Sequence, residues 1–122
     1  MADAPTPISV IHDWHAHVYY DPTSRDRAAT LRDWVERNFS VRMGRWHDQP
    51  VGPHPQAMYQ IAFTNEAFAS LAPFLALNRM ELTILIHPQT DRPRDDHLLH
   101  ALWLGAVLPL NAEVLPESAT HG

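Results

Sequence analysis

Apolar and polar side chains alternate through residues 14–20, WHAHVYY, and this period of two predicts a β-strand. The aromatic and β-branched residues of the segment favour the same structure. One face of the strand carries Trp14, Ala16, Val18 and Tyr20, and the other face carries His15, His17 and Tyr19.

The remaining elements follow from spacing and from turn residues. After a turn at Asp21 and Pro22, apolar residues recur at helical spacing up to Phe39, which predicts a helix capped by Thr23 or Ser24. The same criteria predict a strand at 41–48, a proline-rich loop at 49–56, a strand at 57–64, a helix that Asn65 caps and Pro73 kinks or breaks, a strand at 80–88 that Pro88 stops, and a helix at 96–105.

This order, βαββαβ with a short C-terminal helix, predicts an α+β, ferredoxin-like fold. The four strands are then antiparallel in the order 4-1-3-2, and both main helices cover one face. The other face needs a cover, which a second subunit, the extra helix or a ligand could supply. We expect a single domain over residues 1–122, with a core of about 8–112, frayed residues 1–7 and a dimeric state.

Composition narrows the function. The chain has 122 residues and a formal net charge of −5, which disfavours nucleic acid or an anionic membrane as a partner. It has no cysteine, and all its basic residues are arginine, which excludes thiol, Schiff-base and P-loop lysine chemistry. No stretch reaches the ~18 apolar residues of a membrane span, and the first ten residues do not resemble a signal peptide, so we expect a cytoplasmic protein.

The chain contains nine histidines, roughly three times ordinary usage. The predicted topology places His87, near the end of its strand, beside His15, and His17 lies about 7 Å from His15 on the same open face. These three imidazoles can converge on one Zn, Fe, Cu or Ni ion. A polar, hydrogen-bonded face without metal is the alternative.

Two further histidines are candidates for acid–base chemistry. His54 stands between two prolines in VGPHP, and an immobilised imidazole suits proton transfer. It precedes the strand at 57–64, so we expect it near Tyr19. His97 follows Asp96 in DHLLHALWLG. Asp13 and Asp96 are the nearest carboxylates, although an all-histidine ligand set is also open.

Four motifs, HAHVYYD, VGPHP, ILIHPQT and DHLLHALWLG, together resemble the DOPA 4,5-dioxygenase family of aromatic ring-opening enzymes, in order and at compatible spacing from about His15 to Asn111. The resemblance implies a ferredoxin-like, commonly dimeric protein. It also implies functional histidines at the matching positions, which are His15, His17, His54, His87 and His97.

The chemistry implied by this resemblance is extradiol cleavage of a catechol, such as L-DOPA or caffeate, by O2 at Fe(II), with Zn or another divalent ion as the alternative metal. We assign the metal to His15, His17 and His87, proton transfer to His54 and His97, and substrate binding to Arg42, Trp46 and Tyr19. The expected partners are the aromatic substrate, O2 and a second copy of the chain. The alternative function is a non-catalytic ferredoxin-like dimer that binds a metal or a small aromatic ligand.

Overall fold

A five-stranded antiparallel sheet forms the centre of the computed structural model, which describes residues 4–119. Its strands are β1 (Asp13–Tyr20), β2 (Arg42–Met43), β3 (Ala57–Phe63), β4 (Ile84–Gln89) and β5 (Leu102–Leu104). The helices are α1 (Arg25–Asn38), α2 (Asn65–Asn78) and α3 (Pro93–Leu98). The strand order β2-β3-β1-β4-β5 confirms the predicted α+β, ferredoxin-like arrangement, with β1 in the centre and β5 added at one edge.

The main core lies between the sheet and helices α1 and α2. Ala16 and Val18 of β1 are fully buried there with Leu31 of α1 and with Leu71 and Leu75 of α2. Burying a leucine side chain of this kind stabilises the fold by roughly 1.5–3 kcal/mol. The alternation in β1 therefore directs its small apolar residues to the helices and its histidines to the opposite face.

The chain's own C-terminal segment covers part of that opposite face. Tyr19, Met58 and Leu85 form a second apolar cluster, against which Trp103 and Leu108 pack. Trp103 reaches this position because β5 pairs with β4, where Trp103 lies opposite Leu85. One chain thus closes part of the face that the sequence left open.

The predicted helix at 96–105 is wrong in its second half. Helix α3 spans Pro93–Leu98, and Leu102–Leu104 form strand β5 instead. The cause is tertiary, because an edge strand satisfies backbone groups of β4 that would otherwise be unpaired. Gly105 then ends the strand with a φ of 88°, a left-handed conformation suited to glycine.

The ends of other elements also differ from prediction. Thr64, not Asn65, is the N-cap of α2, since its side chain accepts a hydrogen bond from the Ala67 amide. Helix α2 continues through Pro73, which is exposed and removes only the hydrogen bond to the equally exposed Ala69 carbonyl.

Two predicted strands are shorter than expected. The strand at 41–48 reduces to β2 and one isolated bridge between His47 and Met58. The strand at 80–88 begins only at Ile84, because Met80 and Glu81 adopt positive φ angles of 50° and 67°. It also runs one residue beyond Pro88, to Gln89.

At the N-terminus, residues 4–7 are exposed and irregular, and the part of the predicted frayed segment at 1–3 lies outside the described residues. Within residues 4–119, no helix is both long enough and apolar enough to cross a bilayer.

Candidate functional site

The register of β1 against β4 brings three histidines together, as the sequence predicted. His15 lies directly opposite His87, and the centroids of their rings are 5.3 Å apart. The Nε2 atoms of His17 and His87 are 3.1 Å apart. Directly opposed residues of an antiparallel pair share a face, so the sheet itself fixes this convergence.

A loop adds His54 and helix α3 adds His97 to the three strand histidines. The ring centroid of His54 lies 4.2 Å from that of His17, and the ring centroid of His97 lies 3.9 Å from that of His87. We call these five residues, His15, His17, His54, His87 and His97, the histidine cluster.

Four members of the cluster are held neutral by their surroundings. His17, His54, His87 and His97 are between 0% and 7% exposed. Burial is the largest cause that lowers the pKa of each ring, and it lowers the pKa of His54 to about 4 with help from the neighbouring His97 and His47. Neutral imidazoles are the form that binds metal ions.

Backbone carbonyls fix the tautomer of two of these rings. Nδ1 of His87 donates to the Pro88 carbonyl at 2.9 Å, and Nδ1 of His97 donates to the Pro93 carbonyl at 2.7 Å. A carbonyl oxygen only accepts, so in the neutral ring the proton is on Nδ1 and the lone pair is on Nε2. Such a bond to the remote nitrogen is typical of metal-binding histidines.

The cluster fits a metal ion in two overlapping ways. Within each of two groups, His15–His17–His87 and His17–His54–His97, one nitrogen per residue lies within 4.8 Å of the others. The 3.1 Å pair in the first group is close to the roughly 3.3 Å expected for two nitrogens on one ion at ~2.0 Å. Nδ1 of His17 is buried and has no hydrogen-bond partner among residues 4–119. Since this histidine belongs to both groups, the geometry leaves two alternative ligand sets.

Neither group includes a carboxylate among residues 4–119. Asp96 is fully buried, but both its oxygens accept hydrogen bonds from Thr90, at 2.8 Å from the amide and 2.7 Å from the hydroxyl. Asp13 instead lies 3.7 Å from the Arg42 guanidinium. Asp96 thereby ties helix α3, which also carries His97, to Thr90 in the loop that follows β4, a contact the sequence did not reveal.

Arg42 lies on the histidine face of the sheet. It is opposite Ala62, which is opposite His15, so these residues form one row with His87. Two strand spacings separate Arg42 from His15, about 10 Å. Its side chain is largely exposed.

Trp46 is not brought to the histidine cluster. It packs edge-on against Tyr20 and Tyr59 on the helix-covered side of the sheet, and the Arg25 guanidinium lies 4.1 Å above its ring. The weak alternation in residues 41–48 predicted a regular strand that would place Trp46 on the same face as Arg42. This segment forms only two residues of strand, so the alternation does not extend to Trp46. Stacking on a substrate at the cluster does not fit this position.

Tyr19 is on the predicted face but has no free ring surface. It is 1% exposed and its ring stacks on Trp103 with centroids 6.1 Å apart. Its hydroxyl lies 2.6 Å from Nδ1 of His54. The predicted proximity of His54 and Tyr19 is confirmed, whereas a stacking role for Tyr19 does not fit its burial.

Comparison with known proteins shows which family the sequence of this chain matches. The sequence model of the Dopa 4,5-dioxygenase family matches residues 14–114. A DOPA 4,5-dioxygenase from Amanita muscaria is 37% identical over 117 residues, which are 88% of this chain and 51% of that protein. An uncharacterized 21.2 kDa protein from Botryotinia fuckeliana is 35% identical over 112 residues, 81% of this chain and 61% of that protein. The chain thus spans between half and two thirds of the length of these curated relatives.

A solved structure resembles this fold over nearly its whole length. The crystal structure of a candidate dioxygenase from Nostoc punctiforme is 48% identical, with a TM-score of 0.90. The match covers 91% of this chain and 96% of that one. The overall fold of this chain therefore has a close counterpart in a solved protein.

Proposed function

We propose, from the premise that this chain belongs to the Dopa 4,5-dioxygenase family, that it is a metal-dependent dioxygenase which opens the ring of a catechol. The observation that carries the proposal is the meeting of His15, His17 and His87 on one face of the sheet, with ligand atoms within 4.8 Å of one another. In the overall reaction both atoms of O2 enter the product, and the ring carbon–carbon bond beside the diol breaks. No external reductant is required.

We propose His15, His17 and His87 as the residues that hold the ion. Their neutral, thiolate-free donor set suits Fe(II), and it also accepts Zn or another divalent ion. Bound there, Fe(II) would supply Lewis-acid binding of the catechol oxygens and activation of O2. His15 is the one partly exposed member of the set, which supports access from that side.

His97 and His54 are the proposed proton-transfer residues. The Nδ1–H of His97 donates to the Pro93 carbonyl, so its Nε2 has a lone pair that can accept a proton from the catechol. Burial lowers the pKa of this ring, which keeps it unprotonated and ready to accept. The proton that His97 accepts would then return to the opened product, with the neutral His54 as a hydrogen-bond donor beside it.

Arg42 is the proposed binding residue for a carboxylate on the substrate. It lies in the same sheet row as His15 and His87, about 10 Å from His15, which is the span of a catechol ring with a short side chain. Its present contact with Asp13 is long, at 3.7 Å, and largely exposed. An incoming carboxylate could therefore replace it at little cost.

The decisive assay measures O2 consumption and product absorbance with protein loaded anaerobically with Fe(II), then mixed with L-DOPA or caffeate under air. We expect turnover by the wild type and by His100→Ala, an exposed control, and none by His17→Ala. If several catechols give no O2 uptake with iron-loaded protein, the proposal fails. Catechol-dependent stabilisation without O2 uptake would instead favour the non-catalytic binding protein.

The Arg42 role has its own test. Arg42→Gln should raise the KM for L-DOPA roughly tenfold, as expected for loss of one charge-assisted contact, and should leave the KM for 4-methylcatechol unchanged. The control is Arg45→Gln, also exposed and three positions along the chain. Equal KM changes for both substrates would contradict a carboxylate contact.

We also propose a homodimer. Leu98, Leu99 and Leu102 are exposed beside the edge strand β5, and Leu99 is 73% exposed. An apolar edge of this kind favours pairing with a second copy. Light scattering should give about twice the chain mass of 13.9 kDa, and Leu99→Glu should halve it, whereas Leu77→Glu on α2 should not. A monomer at high protein concentration would exclude the dimer.

A further inference from the structure

Tyr19 makes one of the shortest side-chain contacts in the molecule, and its geometry bears on which histidines can bind a metal. Its hydroxyl lies 2.6 Å from Nδ1 of His54, and both residues are buried, at 1% and 6% exposed. Trp103, Met58 and Leu85 pack around the phenol ring. This contact is the single hydrogen bond that the described residues offer the hydroxyl.

The direction of this hydrogen bond follows from the chemistry of the two groups. A buried O–H that does not donate leaves an unsatisfied donor, whereas a phenol oxygen that accepts nothing costs little. A phenol is also a stronger donor than a neutral imidazole N–H. The Tyr19 hydroxyl therefore donates, and Nδ1 of His54 accepts.

The consequence for His54 is a fixed tautomer. With the lone pair of Nδ1 engaged, the single proton of the neutral ring is on Nε2. That nitrogen has no lone pair for a metal ion. His87 and His97, by contrast, have carbonyl partners at Nδ1 and keep their Nε2 lone pairs. One face of the cluster can bind a cation, and the His54 side presents an N–H.

We propose that Tyr19 is a positioning residue which holds His54 as its Nε2–H tautomer, so that His54 is a hydrogen-bond donor to the site and not a metal ligand. Of the two groups within metal-binding distance, this excludes His17–His54–His97 and leaves His15–His17–His87. The donor role of His54 rests on the proposed function. The tautomer and the ligand set do not depend on any turnover.

The first test is long-range ¹H–¹⁵N NMR of histidine side chains in the full, metal-free chain at neutral pH, with His54→Gln used for assignment. We expect Nε2 of His54 to be protonated and Nδ1 unprotonated. Tyr19→Phe should shift the tautomer ratio roughly tenfold towards Nδ1–H. Tyr20→Phe, which removes a hydroxyl bound to Asp48 on the other face of β1, should not change it. A wild-type His54 protonated on Nδ1 would overturn the proposal.

The second test counts bound metal with Zn(II) as the probe, by calorimetry and by elemental analysis. His54→Gln and Tyr19→Phe should keep the wild-type stoichiometry, with affinity changed less than threefold. His87→Gln, the same substitution at another buried ring, should lose at least a hundredfold in affinity. Loss of Zn(II) by His54→Gln to the same extent would show that His54 is a ligand and would overturn the proposal.

The third test concerns the donor role in the iron-loaded enzyme. At full metal content, Tyr19→Phe should lower kcat roughly tenfold and leave KM unchanged, whereas Tyr20→Phe should match the wild type. An unchanged kcat would overturn the donor role. If no catechol is turned over by any form while the NMR and Zn(II) results hold, the proposed function fails and the assignment of Tyr19 stands.

Discussion

The metal-free chain should unfold in acid well above pH 4. Its four buried imidazoles take up protons more readily in the unfolded chain than in the folded chain. Burial, the neighbouring His97 and His47 lower the pKa of His54 from 6.5 to about 4 in the folded chain. In the unfolded chain the ring titrates at its ordinary value. Between these two values the unfolded state binds more protons than the folded state, so stability falls as the pH falls.

The magnitude follows from the size of the shift. At about 1.4 kcal/mol per pKa unit, His54 alone removes about 3 kcal/mol of folding free energy between pH 6.5 and pH 4. The pKa values of His17, His87 and His97 are lowered in the same direction, again mainly by burial. A domain of this size has about 5–15 kcal/mol of stability in total, so the sum is large enough to unfold it.

Urea unfolding of the metal-free chain at a series of pH values measures this directly. The free energy of unfolding should be flat above about pH 7 and should fall steeply below pH 6.5. His54→Gln should reduce the loss between pH 7 and pH 4 by about 3 kcal/mol. His100→Gln, at an exposed ring, should reproduce the wild-type slope. A free energy that stays constant from pH 7 to pH 4.5 would refute the burial of neutral imidazoles in this cluster.

Three other outcomes follow from the same contacts. Zn(II) at 100 times its Kd should stabilise the chain by about 2.7 kcal/mol and raise Tm by about 10 °C in calorimetry, and no shift would mean no folded-state site. Asp96→Asn should cost about 2 kcal/mol in urea unfolding, because one Thr90 donor loses its carboxylate acceptor, and a neutral result would contradict this contact. Gly105→Ala should lower the free energy of unfolding more than Gly52→Ala. Both glycines have positive φ, but only a Cβ at position 105 would contact the Arg79 side chain, at 2.8 Å. Equal losses of unfolding free energy would contradict this difference.

The predicted faces of β1 and the pairing with β4 follow from information that is local in the sequence. A period of two fixes which side chains share a face, so His15 and His17 are separated from Ala16 and Val18 without knowledge of any contact. The βαββαβ order then makes β4 the neighbour of β1 and brings His87 to His15.

The predictions that failed depended on partners distant in the chain. Residues 102–104 have apolar residues that suit a helix equally well, but the open edge of β4 converts them to β5. Trp46 was expected on the histidine face because residues 41–48 alternate, but strand β2 ends at Met43. Trp46 packs instead with aromatic and arginine side chains on the helix-covered side of the sheet.

The sequence by itself determined the fold class, the histidine-bearing face and the three strand histidines, because periodicity fixes the faces of each strand and the order of elements along the chain fixes which strands pair. Only the tertiary structure decided that a loop and helix α3 bring His54 and His97 to the same cluster, and that the Tyr19 hydroxyl bonds to His54. Loop paths and hydrogen-bond directions depend on the packing of the whole chain. The local pattern of apolar and polar residues therefore does not predict loop paths or hydrogen-bond directions.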